Sequence, residues 1–241
     1  MKILSRNLGL YYRYRYAHLR NASINKHPIQ LQHFNHWNTH YIKQILQNLN
    51  PDIAVFQELT DINDCNILQR DDNHSYTDST PTHHSTEHQK WIMSIFPITE
   101  KKEQTINGEV LTAFSIQDYA IIPVHLNAFS ATKRLQQVHN LITFSQSLDL
   151  PVILLGDFNL RSHKKTFLWQ KDRQSYNLLC THFTDLSQNS WPTTVVYVKL
   201  DYIFSTQLSH PHQLHITKQT GTHMDHYPLL LNIETTLSSW M

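Results

Sequence analysis

Two cysteines in 241 residues, Cys65 and Cys180, are too few for disulfides to be the source of this fold's stability, although one bridge remains geometrically open. A reducing compartment, the cytoplasm, is the expected location. No apolar run reaches the about eighteen residues that span a bilayer. The opening Met1-Lys2-Ile3-Leu4-Ser5-Arg6-Asn7 has no stretch of signal-peptide length, so no anchor or address is expected, with unconventional export left open. The formal net charge of +1 gives no global attraction for a polyanion, and any such site has to come from local clustering. With 16% charged, 40% hydrophobic and 11% aromatic residues the chain can bury a sizeable core. No composition break or Pro/Ser-rich linker divides it, and one domain over residues 1–241 is expected. Most of the 18 histidines are expected on the surface, because His83-His84 and His210/His212 lack the spacing of a closed metal site.

The order of elements follows from periodicity. Residues 2–7 and 52–58 read as strands. Between them Tyr41, Ile42, Ile45, Leu46 and Leu49 recur at helical spacing, ended by Asn50-Pro51. Residues 91–95, 110–116 and 119–125 form the next strands, with turns at Asn107-Gly108 and Gln117-Asp118. Pro123 predicts an edge or a bulge in the last of them. A helix over 131–148 puts Leu135, Val138, Leu141, Ile142, Ser145 and Leu148 on one face. It feeds the continuous apolar run 151–155, which suits a strand buried on both faces. Strands over 195–204, 214–217 and 228–233 complete the chain. Strands dominate with helices interspersed, so two packed sheets covered by helices are expected.

Several side chains at strand ends have the chemistry of a phosphate-ester site. Glu58 follows an apolar strand, where its oxygens can bind Mg2+ or where it can be a solvated exit residue. Asp157 and Asn159 lie two apart and project to one side of an extended segment, as a water-orienting carboxylate beside a phosphate-holding amide or as turn residues. Gly156 before them suggests close backbone approach. His125 can donate to a phosphate oxygen, and His226 beside Asp225 can act as acid or base near neutral pH. Asp201, inserted in a strand pattern, is costly to bury unless paired, and a histidine partner would explain it. Arg13, Arg15, Arg20 and Lys26, interleaved with Tyr11, Tyr12, Tyr14 and Tyr16, suit a phosphate-tracking, base-stacking surface or a tyrosine-rich segment packed on the core.

As an ordered set, Asn7, Gln57-Glu58, His125-Leu126, Gly156-Asp157-Phe158-Asn159, Asp201-Tyr202-Ile203-Phe204 and Asp225-His226-Tyr227-Pro228 resemble the endonuclease/exonuclease/phosphatase (deoxyribonuclease I-like) superfamily, with Arg134 and Gln137 also similar. The resemblance implies an α/β fold, a four-layer α/β/β/α sandwich of two mixed sheets packed face to face with outer helices. It implies that Glu58 binds Mg2+ or Mn2+ with Asn7 and Asp225 nearby, and that Asp157 orients the attacking water. Asn159 would position the phosphate, His125 would steady a nonbridging oxygen, and His226, oriented by Asp201, would complete the site. Arg13 and Arg15 follow Asn7 closely as substrate contacts. The chain departs from the family pattern at Arg6, where Trp is usual, and at Met224, where Ser is frequent.

The expected activity is a metal-dependent phosphodiesterase acting on nucleic acid by in-line attack of an activated water. A phospholipid (sphingomyelinase-like) or phosphoinositide phosphoesterase is the alternative, for which Trp91, Trp169, Trp191 and Trp240 are candidates for membrane contact or core packing. Val198-Lys199-Leu200-Asp201-Tyr202 stands where inositol polyphosphate 5-phosphatases carry Trp-Cys-Asp-Arg, which disfavours that branch. A catalytically inactive scaffold is the third reading.

Overall fold

The computed structural model describes residues 1–7, 42–59, 74–78, 89–161, 170–188, 192–194, 198–207, 212–216 and 226–234. Among these residues twelve strands form two six-stranded sheets. The first has the order β11 (His212–Ile216), β12 (Leu229–Ile233), β1 (Lys2–Asn7), β2 (Ile53–Leu59), β4 (Gln89–Ser94), β3 (His74–Asp78). The second runs β5 (Ile98–Ile106), β6 (Glu109–Ile116), β7 (Tyr119–His125), β8 (Val152–Asp157), β10 (Asp201–Ser205), β9 (Thr184–Asp185). Both are mixed: β1 and β2 pair in parallel, as do β7 and β8, and the remaining ladders are antiparallel.

Alternation of side chains along each strand sorts three apolar clusters into layers. Ile3, Ile53, Val55, Ile121, Ile153, Leu155, Ile203 and Leu229 fill the space between the sheets. Leu4, Ala54, Phe56, Trp91 and Met93 face the other way and pack on Ile42, Ile45 and Leu46 of helix α1, residues 42–49. Leu154, Phe158, Tyr202 and Phe204 pack on Val138, Leu141 and Phe144 of α2 (Ala131–Ser145) and Leu179 of α3 (Gln170–His182). The result is the expected α/β/β/α sandwich. Trp91 is a core residue, stacked on Phe56 with ring centroids 5.5 Å apart. Among the described residues no helix is long and apolar enough to cross a membrane.

Each parallel pair is joined across a helix, because parallel neighbours need a crossover. Asn50 takes the left-handed conformation (φ 43°) and bonds back to the Leu46 carbonyl, ending α1 just before Pro51. Ser130 caps α2 by accepting from the Lys133 amide. That helix stops at Ser145 rather than 148: the hydroxyls of Ser145 and Ser147 bond the Ile142 and Phe144 carbonyls at 2.8 and 2.7 Å, satisfying carbonyls of the last turn.

Other differences have physical causes. Pro123 lies in β7, an interior strand, not an edge; the ladder to β6 covers only Tyr119 to Ile121, so the absent N–H is not required there. Strand β10 begins at Asp201 instead of 195, because the amides of Leu200 and Asp201 are bonded to Thr193 Oγ1. Strands β3, β5 and β9 and helix α3 had no apolar period to reveal them: β5 is a charged strand at a sheet edge, where such residues discourage further pairing. Tyr41, Cys65 and residues 195–197 lie outside the described residues; Cys180 is an exposed free thiol.

Candidate active site

Along the inner faces of the central strands, apolar side chains give way to polar ones toward one end. In β1 the run is Ile3, Ser5, Asn7; in β2, Ile53, Val55, Gln57; in β8, Ile153, Leu155, Asp157. Strand β10 runs the opposite way and opens with Asp201 directly across from Asp157. Asn7, Glu58, His125 and Asp157 therefore stand at or near the C-terminal ends of the four parallel strands, and Asp201 and His226 join them there.

Glu58 is redirected by its backbone. It has φ 61°, rare for a side chain of its kind, where a bulge interrupts the β2–β4 register between Phe56 and Leu59. Its Oε1 accepts from Asn7 Nδ2 at 3.0 Å and lies 3.5 Å from His125 Nε2. Asn7 Nδ2 also donates to Asp157 Oδ2 at 2.8 Å, so one amide bridges two carboxylates. Glu58, His125 and Asp157 each offer one donor atom within 4.8 Å of the others, a set able to hold a small divalent cation.

Asp157 is 2% exposed. Burial pushes its carboxyl up to about 7, with Asp201 adding to the rise and His226, the Asn159 amide and Asn7 opposing it. Gly156 before it has φ 143°, and a Cβ there would sit 2.0 Å from the Val124 carbonyl oxygen, so only glycine lets β7 and β8 approach this closely. After Asp157 the chain makes the expected turn: Asn159, at φ 52°, gives its N–H to Asp157 Oδ1 at 2.8 Å. Asn159 Nδ2 bonds the Leu126 carbonyl at 3.0 Å, tying this loop to the one after His125.

Asp201 has its histidine. His226 Nδ1 lies 2.8 Å from Asp201 Oδ2, and Nε2 is 3.9 Å from Asp157 Oδ2, with His226 only 6% exposed. Two residues that periodicity did not single out hold this pair. Thr193 accepts from the Asp201 and Tyr227 amides, the first through Oγ1 and the second through its carbonyl. Arg6, fully buried, donates to the His226 carbonyl at 3.2 Å. The departure from Trp at that position was the one signal for Arg6; Thr193 had none. Asn7, Glu58, His125, Asp157, Asn159, Asp201 and His226 are thus brought together, while Arg13, Arg15 and Asp225 lie outside the described residues.

Solved structures share this fold at low identity. An AP endonuclease from Archaeoglobus fulgidus is similar over 98% of this chain and 100% of its own, with a TM-score of 0.71 and 15% identity. The 3' phosphatase NExo from Neisseria, bound to product DNA hairpin, is similar over 98% and 100%, at 0.67 and 17%. TDP2 from Caenorhabditis elegans covers 96% of this chain and 73% of its own, at 0.64 and 13%. No curated protein matches the chain in sequence. A family model described as the Endonuclease/Exonuclease/phosphatase family matches residues 35–216, well over half of the sequence, and the chain belongs to that family.

Proposed function

We propose that the chain is a divalent-metal-dependent phosphodiesterase with nucleic acid as its substrate, working by in-line attack of an activated water. The observation that carries this reading is the continuous line Glu58–Asn7–Asp157–His226–Asp201 at one edge of the sandwich, with His125 closing on Glu58. Family membership supports phosphoester hydrolysis, and similarity to an AP endonuclease and to a 3' phosphatase bound to DNA favours nucleic acid.

The residues fit a cation: two carboxylates share one amide, and burial disfavours charge on one of them, a cost that Mg2+ or Mn2+ offsets. Bound at Glu58 with Asn7 and Asp225 nearby, the ion would supply positive charge against the phosphoryl oxygens. Asp157, raised toward neutrality, takes the proton of the attacking water as the new O–P bond forms and the opposite P–O bond breaks. Asp201 holds the imidazole of His226 through Nδ1 and leaves Nε2 facing Asp157 and the phosphate. Asn159 positions the phosphate and His125 steadies a nonbridging oxygen. Arg13 and Arg15 are the proposed flanking substrate contacts.

The test is hydrolysis with and without Mg2+ by the wild type, His226→Ala and Glu58→Gln, on DNA and RNA oligonucleotides, on sphingomyelin and phosphoinositide vesicles, and on bis-p-nitrophenyl phosphate. We expect metal-dependent cleavage of oligonucleotides, about 100-fold or more weaker in each variant. Turnover confined to the lipid panel would replace the nucleic-acid reading. Silence on all substrates, with metal bound, would mean a scaffold.

A further inference from the structure

Arg134 and Gln137 lie three residues apart on α2, hence on one face of the helix, and both reach the loop that follows His125. Arg134 donates to the carbonyls of Asn127 and Ala128 at 2.8 and 3.2 Å. Gln137 Oε1 accepts from the Asn127 amide at 2.8 Å. The Asn127 N–H and the Leu126 C=O belong to one peptide unit, and that carbonyl accepts from Asn159 Nδ2 at 3.0 Å. Gln137 and Asn159 therefore grip the same rigid plane from opposite sides. Gln137 is itself held. Its Nε2 donates at 2.8 Å to Oε1 of Glu109, the first residue of β6, and the other carboxylate oxygen accepts from Asn140 Nδ2 at 2.9 Å. Asn140 Oδ1 in turn accepts from Asn107 Nδ2 at 2.8 Å, which ties in the turn between β5 and β6.

A continuous line of hydrogen bonds thus runs from Glu109 through Gln137 and the Leu126–Asn127 peptide to Asn159, whose own N–H carries it on to Asp157 Oδ1. The three inner links are amides, each with a donor at one end and an acceptor at the other. An ionised carboxylate only accepts, and its place at the far end fixes the sense of every link. Glu109 takes the Gln137 Nε2 hydrogen, which turns Oε1 toward the loop. Oε1 takes the Asn127 N–H, which turns the Leu126 carbonyl toward Asn159. That carbonyl takes Nδ2, so the Asn159 oxygen is turned away from it. Nδ2 carries a second hydrogen, and a phosphoryl oxygen is an acceptor that it can hold. Amides in series also polarise one another, and the bond to the carboxylate is charge-assisted, so the line is stronger than its separate bonds.

We propose that Gln137 and Glu109 are positioning residues for Asn159: acting through the Leu126–Asn127 peptide, they set which end of its side-chain amide faces the substrate. The inference rests on the phosphodiesterase reading above, in which Asn159 holds the phosphate, and deepens it. It gives Gln137 a task distinct from that of its neighbour on the helix. Arg134 is buried and pairs with a buried carboxylate, so its loss loosens the fold. Gln137 is half-buried and joins a carboxylate at the start of β6 to one peptide beside the site, so its loss releases the orientation of that peptide.

The experiment measures Mg2+-dependent hydrolysis of a DNA oligonucleotide and of bis-p-nitrophenyl phosphate by the wild type, Gln137→Ala, Asn159→Ala and the double variant, with thermal unfolding to check that each is folded. Gln137→Ala should lower kcat about 10- to 100-fold on both substrates. In the Asn159→Ala background the same substitution should change kcat by about twofold or less, since the group it positions is gone. Gln137→Glu sets a second carboxylate against Glu109 and should lower kcat as far as Gln137→Ala does. Adding Glu109→Gln to it restores a donor facing an acceptor and should recover most of the loss. The Asn159 side-chain amide protons, followed by heteronuclear NMR, should shift in Gln137→Ala and return in the paired exchange. Equal factors in the two backgrounds, or no recovery by the paired exchange, would overturn the inference and leave the phosphodiesterase reading standing. A wild type that cleaves neither ester would overturn the phosphodiesterase reading, and this inference with it.

Discussion

Asp172 and Asp157 are equally buried carboxylates with opposite surroundings. Asp172 meets the guanidinium of Arg134 at 2.6 and 3.0 Å through one oxygen, and the Arg161 amide through the other. Its charge is matched, and it locks α3 to α2 and to the loops on either side of the site. Asp157 faces a second carboxylate, Asp201, across the strand ladder; its hydrogen bonds come from the Asn7 side-chain amide and the Asn159 backbone amide, and His226 Nε2 stands 3.9 Å away. Burial lifts it to about 7, with Asp201 adding to the rise and His226 opposing it. A buried carboxylate with a fixed cation is a brace; one held without it is available to a proton or a metal ion.

The largest expected effect separates the two in activity. Asp157→Asn should lower kcat by roughly 10^3 to 10^4-fold, read under saturating Mg2+. Its stability should shift the other way. The folded carboxyl titrates near 7 against 3.8 in the unfolded chain, so between those values the folded state holds the extra proton. Wild-type stability without metal should therefore fall as pH rises from about 4 to about 7, and the asparagine variant should lose that dependence. Urea denaturation at pH 5 and pH 8 in chelator reads it; a wild type that gains stability from this group at pH 8 would mean that its charge is already satisfied.

Next comes the brace. Arg134→Ala leaves Asp172 buried and unpaired and should cost about 3–5 kcal/mol in urea denaturation. Replacing both partners with apolar residues of similar volume should recover most of the loss. If it does not, the fork's bonds to Asn127 and Ala128 matter more than the charge.

A smaller effect sharpens the point about cations. Mg2+ at 100 times its dissociation constant should add about 2.7 kcal/mol to stability. Binding should be tighter at pH 8 than at pH 6, because the proton on Asp157 competes with the ion. Glu58→Gln should abolish the gain, measured by thermal unfolding with and without Mg2+, whereas Arg134→Ala should retain it.

Much of the fold was legible. Residues 2–7, 110–116, 119–125 and 151–155 read as buried strands, and α2 had a clear stripe. What was missed had no such pattern, as in charged β5 and polar α3. In the site, Asp201 illustrates the boundary. A carboxylate in a strand pattern requires a partner, and this was readable; that the partner is His226, 25 residues on, depends on how Thr193 and Arg6 hold the chain. Asn159 illustrates another. The two-residue spacing predicts an extended segment or a turn, and the left-handed backbone at Asn159, with its N–H on Asp157 Oδ1, is the turn.

By itself the order of residues determined the layers, because alternation in strands and a 3.6-residue stripe in helices decide which faces leave water. It also determined that polar groups collect at strand ends, where the apolar runs stop. Only the tertiary structure decided which of those ends meet. Two parallel crossovers, packed face to face, bring Glu58, His125 and Asp157 close enough to hold one cation, with Asn7 bonded to both carboxylates, and antiparallel β10 carries Asp201 back to them. Charge interactions depend on distance and burial, which sequence separation does not specify, so the raised Asp157 and the matched Asp172 became distinguishable once the chain was folded.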